Sequence, residues 1–169
     1  MPTKILIIDD NKEILENVNE LLELAGYTIF TANNGKKGLE LARENKPDLI
    51  LCDIMMPELD GYGVIRALRN ISELAGVPFV FMSAKAEKTD FRMGMDLGAD
   101  DYLTKPFSGD DLLRVVEARL KRGQLLKTIP ENKEGNSNQL KITSNPSDWM
   151  NLFCDNRTIK KTRKKDMLF

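Results

Sequence analysis

Five short apolar segments alternate with segments of helical periodicity, and this alternation limits the chain to one broad class of fold. The apolar segments are Lys4–Asp9, Tyr27–Ala32, Asp48–Asp53, Val77–Ser83 and Asp100–Thr104. Between and after them, apolar residues recur at intervals of three and four, as amphipathic helices require. Strands that alternate with helices form a parallel sheet with helices on both faces. The sequence therefore predicts an α/β fold with a doubly wound, five-stranded parallel sheet and five flanking helices.

Capping residues indicate where the first and last helices begin and end. Asp10 is the predicted N-cap of the first helix, with Glu13 at position N3, and Gly26 follows its last turn. Ser108 is the predicted N-cap of the last helix, with Asp111 at position N3. Both helices are thus expected to begin shortly after the carboxyl end of a strand.

The last part of the chain differs in composition from the rest. Residues 1–122 contain 16 Lys and Arg against 21 Asp and Glu, whereas residues 123–169 contain 9 against 5. The segment from residue 128 to residue 148 is polar and carries Pro, Gly, Asn and Ser, which is typical of a linker. We therefore predict one domain over residues 1–122, a linker over 123–148 and a basic tail over 149–169.

Composition also bears on where the protein works. A hydrophobic share of 41% beside 30% charged residues is typical of a soluble globular protein. No apolar run approaches the ~20 residues that span a bilayer, and the N-terminus lacks the features of a signal peptide. Cys52 and Cys154 are far apart and are interpreted as free thiols in a reducing compartment. A cytoplasmic protein without membrane contact is therefore expected.

Polar residues lie at the carboxyl ends of four predicted strands. Asp9 and Asp10 end the first strand and Asp53 ends the third, while Ser83 ends the fourth and Lys105 follows the fifth. Sites in open α/β sheets form beyond the carboxyl ends of the strands, so these side chains are expected to meet at one edge. Three carboxylates in one place repel one another unless a cation joins them.

The kinds of side chain at this edge narrow the chemistry. The sequence contains no histidine, and the available ligands are oxygen atoms, which favours Mg²⁺ or Mn²⁺ over zinc. A phosphoryl group in transfer spreads its charge over three equatorial oxygens, so a metal ion, a lysine and a hydroxyl donor suit it. A carboxylate such as Asp53 is itself a nucleophile and needs no general base.

Four segments carry a resemblance to a known family: "IIDD", "DLILCDIMMPELDGYG", "MSA" and "DDYLTKPF", in this order. Together they resemble the receiver domain of two-component response regulators over roughly Lys4–Arg122. The resemblance implies a flavodoxin-like fold with strand order 2-1-3-4-5. It also implies phosphorelay signalling, in which Asp53 receives a phosphoryl group from a sensor histidine kinase or a phosphotransfer protein. The protein would then be a signalling receiver with a transcriptional output and not an enzyme acting on a separate substrate.

The resemblance further assigns roles in metal binding. It implies that Asp10, Asp53 and the main-chain carbonyl of Met55 ligate Mg²⁺ directly, with Mn²⁺ as a possible substitute. Asp9 would hold the ion through a water molecule.

The remaining roles concern the phosphoryl group and the response to it. The resemblance implies that Ser83 donates a hydrogen bond to the phosphoryl oxygens and that Lys105 forms an ion pair with them. Tyr102 matches the aromatic switch residue that turns inward after phosphorylation. The peptide bond between Lys105 and Pro106 is expected to be cis.

Other functions remain open at this stage. A stand-alone receiver, or a degenerate receiver that binds partners without phosphorylation, would have the same fold. A phosphatase of the haloacid-dehalogenase type needs a second aspartate two residues after the nucleophile, where this chain has Met55. Flavin binding is suggested by the fold alone, and no Ser/Thr-rich phosphate loop follows the first strand.

Partners beyond the phosphodonor are less defined. Related regulators dimerise on phosphorylation through charged residues that include an arginine in the fifth helix. Here that position is Val115, with Arg114 one residue earlier, so a charged dimer interface is not expected although an apolar contact is possible. DNA would be contacted only through a missing or downstream effector domain.

The basic tail permits three interpretations. Its cationic residues are Arg157, Lys160, Lys161, Arg163, Lys164 and Lys165. They are compatible with a solvated tail or with contact to nucleic acid or another acidic surface. The segment "LFCDNRTIKKTRKKDMLF" is also similar to the start of cyclic-nucleotide-binding domains of the Crp type. In that case the chain would be the front part of a longer regulator.

Overall fold

The computed structural model describes residues 1–84 and 88–127, and for residues 88–89 and 126–127 it describes the backbone alone. The predicted linker after residue 127 and the basic tail, with Cys154, lie outside this part of the chain. The strands are β1 (Lys4–Ile8), β2 (Thr28–Ala32), β3 (Leu49–Asp53), β4 (Phe79–Ser83) and β5 (Asp101–Thr104). The helices are α1 (Lys12–Leu24), α2 (Gly35–Asn45), α3 (Gly61–Arg69), α4 (Lys88–Asp96) and α5 (Gly109–Lys127).

The strands form one parallel sheet in the order β2-β1-β3-β4-β5. This architecture confirms the predicted fold class and strand order. In the register of the sheet, Ile8 of β1 pairs with Cys52 of β3, and Asp53 pairs with Met82 of β4. The carboxyl ends of these strands therefore lie at one edge, which we call the carboxyl edge.

Two apolar layers hold the helices against the sheet. The residues of β3 are all buried, and their side chains alternate between the two layers: Ile50 contributes to one, Leu51 to the other. Helices α2 and α3 contribute to the first layer, whereas α1 and α5 contribute to the second. A central strand covered on both faces provides rigid backbone up to its last residue, Asp53.

The N-cap of α1 differs from the prediction. The side chain of Asn11, not Asp10, accepts hydrogen bonds from the main-chain N–H groups of Glu13 and Ile14, at 3.0 Å and 3.3 Å. Asparagine and aspartate are about equally good N-caps, so sequence could not choose between neighbours. Because Asn11 caps the helix, the carboxylate of Asp10 is left at the carboxyl edge.

Strand β4 begins at Phe79 and not at the predicted Val77. Pro78 has no N–H to donate to a strand ladder, which explains why the strand starts after it. Its carbonyl oxygen still accepts a hydrogen bond from the N–H of Ile50, at 2.9 Å.

Helix α5 begins as predicted, with reciprocal hydrogen bonds between Ser108 and Asp111. The Ser108 hydroxyl accepts from the N–H of Asp111 at 3.1 Å, and the Asp111 carboxylate accepts from the N–H of Ser108 at 3.3 Å. The helix continues to Lys127, so the predicted domain boundary at residue 122 falls within it. None of the described helices combines the length and the apolar character needed to cross a membrane.

Candidate functional site

Three carboxylates meet at the carboxyl edge, between the ends of β1 and β3. One oxygen atom from each of Asp9, Asp10 and Asp53 lies within 4.8 Å of the others. Asp9 is fully buried and Asp53 is 6% exposed, whereas Asp10 is exposed. This acidic cluster therefore opens to solvent on the side of Asp10.

Main-chain N–H groups orient the two buried carboxylates. The N–H of Ile54 donates to Oδ1 of Asp53 at 2.8 Å. The N–H of Asn11 donates to Oδ1 of Asp9 at 2.9 Å. Each donor belongs to the turn that directly follows a strand, so the same turns that end β1 and β3 also fix the acids.

Lys105 supplies a positive charge to the acidic cluster from the end of β5. Its Nζ lies 2.7 Å from Oδ2 of Asp9 and 3.6 Å from Oδ1 of Asp53. The lysine side chain is 14% exposed, so these interactions are only partly screened by solvent. The peptide bond between Lys105 and Pro106 is cis.

The balance of these groups raises the pKa of the central acid. Burial raises the pKa of Asp53 to about 6, and the neighbouring Asp9 adds to the increase. Lys105 and the N–H groups of Ile54 and Met55 act in the opposite direction. One lysine thus compensates only part of the cost of ionising Asp53 inside this cluster.

The acidic cluster fits a hard divalent cation. It offers carboxylate oxygens from three residues, a net negative charge even with Lys105 present, and a solvent-facing side where water could remain bound. Magnesium and manganese prefer such oxygen ligands, and magnesium commonly retains several of its waters. Met55, whose main-chain carbonyl is one of the expected ligands, lies two residues after Asp53, and its side chain is 57% exposed.

Ser83 and Tyr102 form a second group beside the acidic cluster. Ser83 is fully buried at the end of β4, close to Tyr102 in β5. Burial raises the pKa of the Tyr102 hydroxyl, and the nearby hydroxyl of Ser83 acts in the opposite direction. The ring of Tyr102 also lies 6.2 Å from that of Phe81 and 5.8 Å from that of Phe91 in α4, between ring centroids. Tyr102 therefore connects the carboxyl edge with the outer surface of α4.

Two residues at this edge escaped the sequence analysis. Asn11 caps α1 and holds Asp9, and Gly61 at the start of α3 lies against the main chain of Asp53. The signals that could have found them were present in the sequence. Asn11 is a favourable capping residue directly after the acidic pair, and Gly61 belongs to an Asp-Gly dipeptide before a helix.

Comparison with known proteins agrees with this geometry. The family described as response regulator receiver domain matches residues 5–117. The chain belongs to the response regulator receiver domain family. The match covers β1 from its second residue, the four other strands and the first half of α5, and it includes each of the polar residues at the carboxyl edge.

Curated relatives in this family are longer proteins. The chain is 40% identical over 133 residues to the alkaline phosphatase synthesis transcriptional regulatory protein PhoP of Bacillus subtilis, covering 79% of this chain and 55% of that protein. It is 40% identical over 131 residues to the DNA-binding dual master transcriptional regulator RpaA of Synechocystis, covering 78% of this chain and 54% of that protein. The chain thus spans about half the length of these relatives.

Solved receiver structures are similar over nearly their whole length. The Francisella response regulator 1452 receiver domain is 37% identical with a TM-score of 0.67, covering 71% of this chain and 98% of that one. The chemotaxis protein CheY4 of Vibrio cholerae is 29% identical with a TM-score of 0.68, covering 70% of this chain and 98% of that one.

Proposed function

We propose that this domain accepts a phosphoryl group on Asp53 from a phosphohistidine of a sensor histidine kinase or a phosphotransfer protein. The observation that carries the proposal is the setting of Asp53, a buried carboxylate that accepts from the main-chain N–H of Ile54 and lies beside Lys105 and two further acids. The 169 residues contain no histidine that could itself carry the phosphoryl group to Asp53.

The chemistry requires few protein groups. A carboxylate oxygen of Asp53 would form a bond to phosphorus while the bond from phosphorus to the donor's imidazole nitrogen breaks. The imidazole would leave with a proton, and the phosphoryl oxygens would carry the charge. Lys105 lies close enough to Asp53 to form an ion pair with those oxygens, and the hydroxyl of Ser83 would donate to them.

The acidic cluster would hold Mg²⁺, or Mn²⁺ in its place. Asp10, Asp53 and the carbonyl of Met55 would be its direct ligands, with Asp9 acting through water. A bound divalent ion would neutralise the repulsion among the carboxylates and the charge of the phosphoryl oxygens. Chelation with EDTA should therefore abolish phosphorylation.

The response would pass from Ser83 to Tyr102. A Ser83 hydroxyl drawn toward a phosphoryl group would no longer act on the nearby hydroxyl of Tyr102, whose ring contacts Phe91 on the outer face of α4. We propose a transcriptional output for the whole protein because relatives such as PhoP and RpaA are named as transcriptional regulators. DNA would be bound by a part of the protein other than this receiver, which would itself act as a signalling switch and not as an enzyme.

Labelling with a small phosphodonor tests the assignment. The protein is incubated with Mg²⁺ and acetyl phosphate, and incorporation of phosphate is measured by intact mass. Asp53→Asn should abolish incorporation, whereas the control Asp96→Asn, an exposed acid at the end of α4, should incorporate phosphate like the parent. Undiminished incorporation in the Asp53→Asn protein would contradict the assignment.

A further inference from the structure

Gly61 lies against the two peptide groups that follow the Asp53 side chain along the chain. The N–H of Gly61 donates to the carbonyl oxygen of Ile54 at 2.9 Å, in the peptide group that Ile54 forms with Met55. The preceding peptide group, between Asp53 and Ile54, supplies the N–H that donates to Oδ1 of Asp53 at 2.8 Å, and its carbonyl oxygen lies directly beside Cα of Gly61. The position of the peptide group that donates to Asp53 therefore depends on Gly61.

Gly61 lies too close to β3 to carry a side chain. A methyl group on its Cα would overlap the carbonyl oxygen of Asp53 and approach Cα of Ile54 to 2.9 Å. Both are main-chain atoms of a strand end that is buried on both faces, so they cannot move aside easily. Gly61 has an ordinary helical backbone, so the close approach and not the backbone conformation requires glycine.

Helix α3 cannot withdraw to make room. Asp60 caps the helix by accepting from the N–H of Gly63 at 2.8 Å, and Val64 and Ile65 are fully buried in the apolar layer below. The first turn of α3 is thus fixed at both its polar and its apolar side. Any group added at Gly61 must displace the end of β3 or the helix as a unit.

We infer that Gly61 is a positioning residue for the nucleophile: it lets the start of α3 pack against the end of β3 and hold the Asp53–Ile54 and Ile54–Met55 peptide groups, the first of which donates to Asp53. The inference rests on the proposed function, because it matters for activity only if Asp53 accepts phosphate. A displacement of reacting groups by about 1 Å can cost about a hundredfold in rate. Gly61→Ala should therefore slow phosphorylation strongly.

Gly63 provides a matched control in the same helix. A methyl group there would meet Cδ1 of Leu59, the end of a flexible side chain, and would lie 3.4 Å from Oδ1 of Asp60. Both variants replace glycine by alanine in α3 and gain helix propensity equally. They differ in whether the added methyl group collides with the main chain of Asp53.

The test measures phosphate incorporation from acetyl phosphate over a range of donor concentrations. We expect Gly61→Ala to lower the maximal rate at least about tenfold, with little change in the donor concentration that gives half of that rate, whereas Gly63→Ala stays within about twofold of the parent. If the parent incorporates phosphate and the two variants do so at equal rates, the inference about Gly61 is overturned while the proposed function stands. A parent that takes up no phosphate would overturn the proposed function instead.

A measurement on the parent protein covers the case in which Gly61→Ala does not fold. Amide signals are followed by NMR while the protein is titrated with Mg²⁺ and beryllofluoride, a mimic of the phosphoryl group. The amides of Met55 and Gly61 should shift together because one peptide group links them, while that of Gly63 shifts less. A Met55 signal that moves without Gly61 would overturn the inference.

Discussion

The ammonium group of Lys105 lies closer to Asp9 than to Asp53, at 2.7 Å against 3.6 Å. Its strongest contact is thus with an acid that is not the proposed nucleophile. Asp9 is fully buried, and its other oxygen accepts from the N–H of Asn11, so this ion pair is firmly held. A phosphoryl group on Asp53 would place new negative charge beside a lysine that is already oriented by Asp9.

Replacing Lys105 should separate metal binding from phosphorylation. Lys105→Met removes a positive charge beside the acidic cluster, so Mg²⁺ should bind more tightly, by about tenfold or 1.4 kcal/mol. The rate of phosphorylation should nevertheless fall, because the phosphoryl oxygens lose their cation. Calorimetric titration with Mg²⁺ and labelling with acetyl phosphate measure the two effects. Lys121→Met, at an exposed position of α5, is the control and should behave like the parent in both measurements. Weaker Mg²⁺ binding in Lys105→Met would contradict the prediction.

The raised pKa of Asp53 predicts a pH-dependent stability in the absence of metal. Its pKa is about 6 in the folded protein against an ordinary value of 3.8, so the folded state binds the proton more tightly than the unfolded state does. The associated stabilisation is fully present below about pH 4 and is lost as the pH rises through about 6. Its upper limit is about 3 kcal/mol.

Chemical denaturation in EDTA at a series of pH values checks this contribution. Asp53→Asn has no titrating group at this position, so above pH 6 it should be more stable than the parent, and the difference should shrink as the pH falls. Saturating Mg²⁺ should reduce the difference because the ion stabilises the ionised carboxylate. An Asp53→Asn protein that is less stable than the parent at pH 7.5 in EDTA would contradict the prediction.

Met55 is predicted to prolong the phosphorylated state. Aspartyl phosphate is lost when water attacks phosphorus opposite the Asp53 oxygen, and Met55, two residues after Asp53, has a side chain that is 57% exposed. Its apolar side chain offers that water no hydrogen-bond acceptor. Met55→Asn should accelerate dephosphorylation several-fold, measured as phosphate release after the donor is removed. The control is Met93→Asn, which changes an exposed methionine of α4. Equal decay of the Met55→Asn protein and the parent would mean that Met55 does not affect the lifetime of the phosphorylated state.

Two arginines of α5 form ion pairs within the domain. Arg114 pairs with Asp111, and Nε of Arg119 lies 3.3 Å from Oδ2 of Asp101. Val115 packs against the apolar layer below α5, whereas Phe91 on α4 is 49% exposed. These contacts favour an apolar association over a charged one if the phosphorylated domain dimerises.

Salt dependence distinguishes the two kinds of dimer. Raising the ionic strength from 0.1 M to 1 M shortens the Debye length from about 10 Å to about 3 Å and would weaken a dimer held by exposed charges. Sedimentation of the beryllofluoride-treated protein should show a dimerisation constant that changes by less than about threefold over this range. Phe91→Ser should weaken the dimer, and a steep loss of affinity with salt in the parent would contradict the prediction.

The sequence by itself determined the elements of the fold and the edge at which the site forms. Alternation between buried strands and amphipathic helices is a local pattern, so the five strands and the parallel sheet could be inferred from short windows of residues. Acids directly after two such strands had to lie at the carboxyl edge. The four quoted motifs added the family, and with it the strand order that periodicity alone could not supply.

Only the tertiary structure decided which groups touch. The preference of Lys105 for Asp9 joins residues 96 positions apart in the chain, and the contact of Gly61 with Asp53 depends on how α3 seats on the sheet. The choice of Asn11 over its neighbour Asp10 as the cap of α1 is likewise visible only in the folded structure. Local propensities differ little between such alternatives, whereas close packing separates them, because buried main-chain atoms and charges tolerate very few positions.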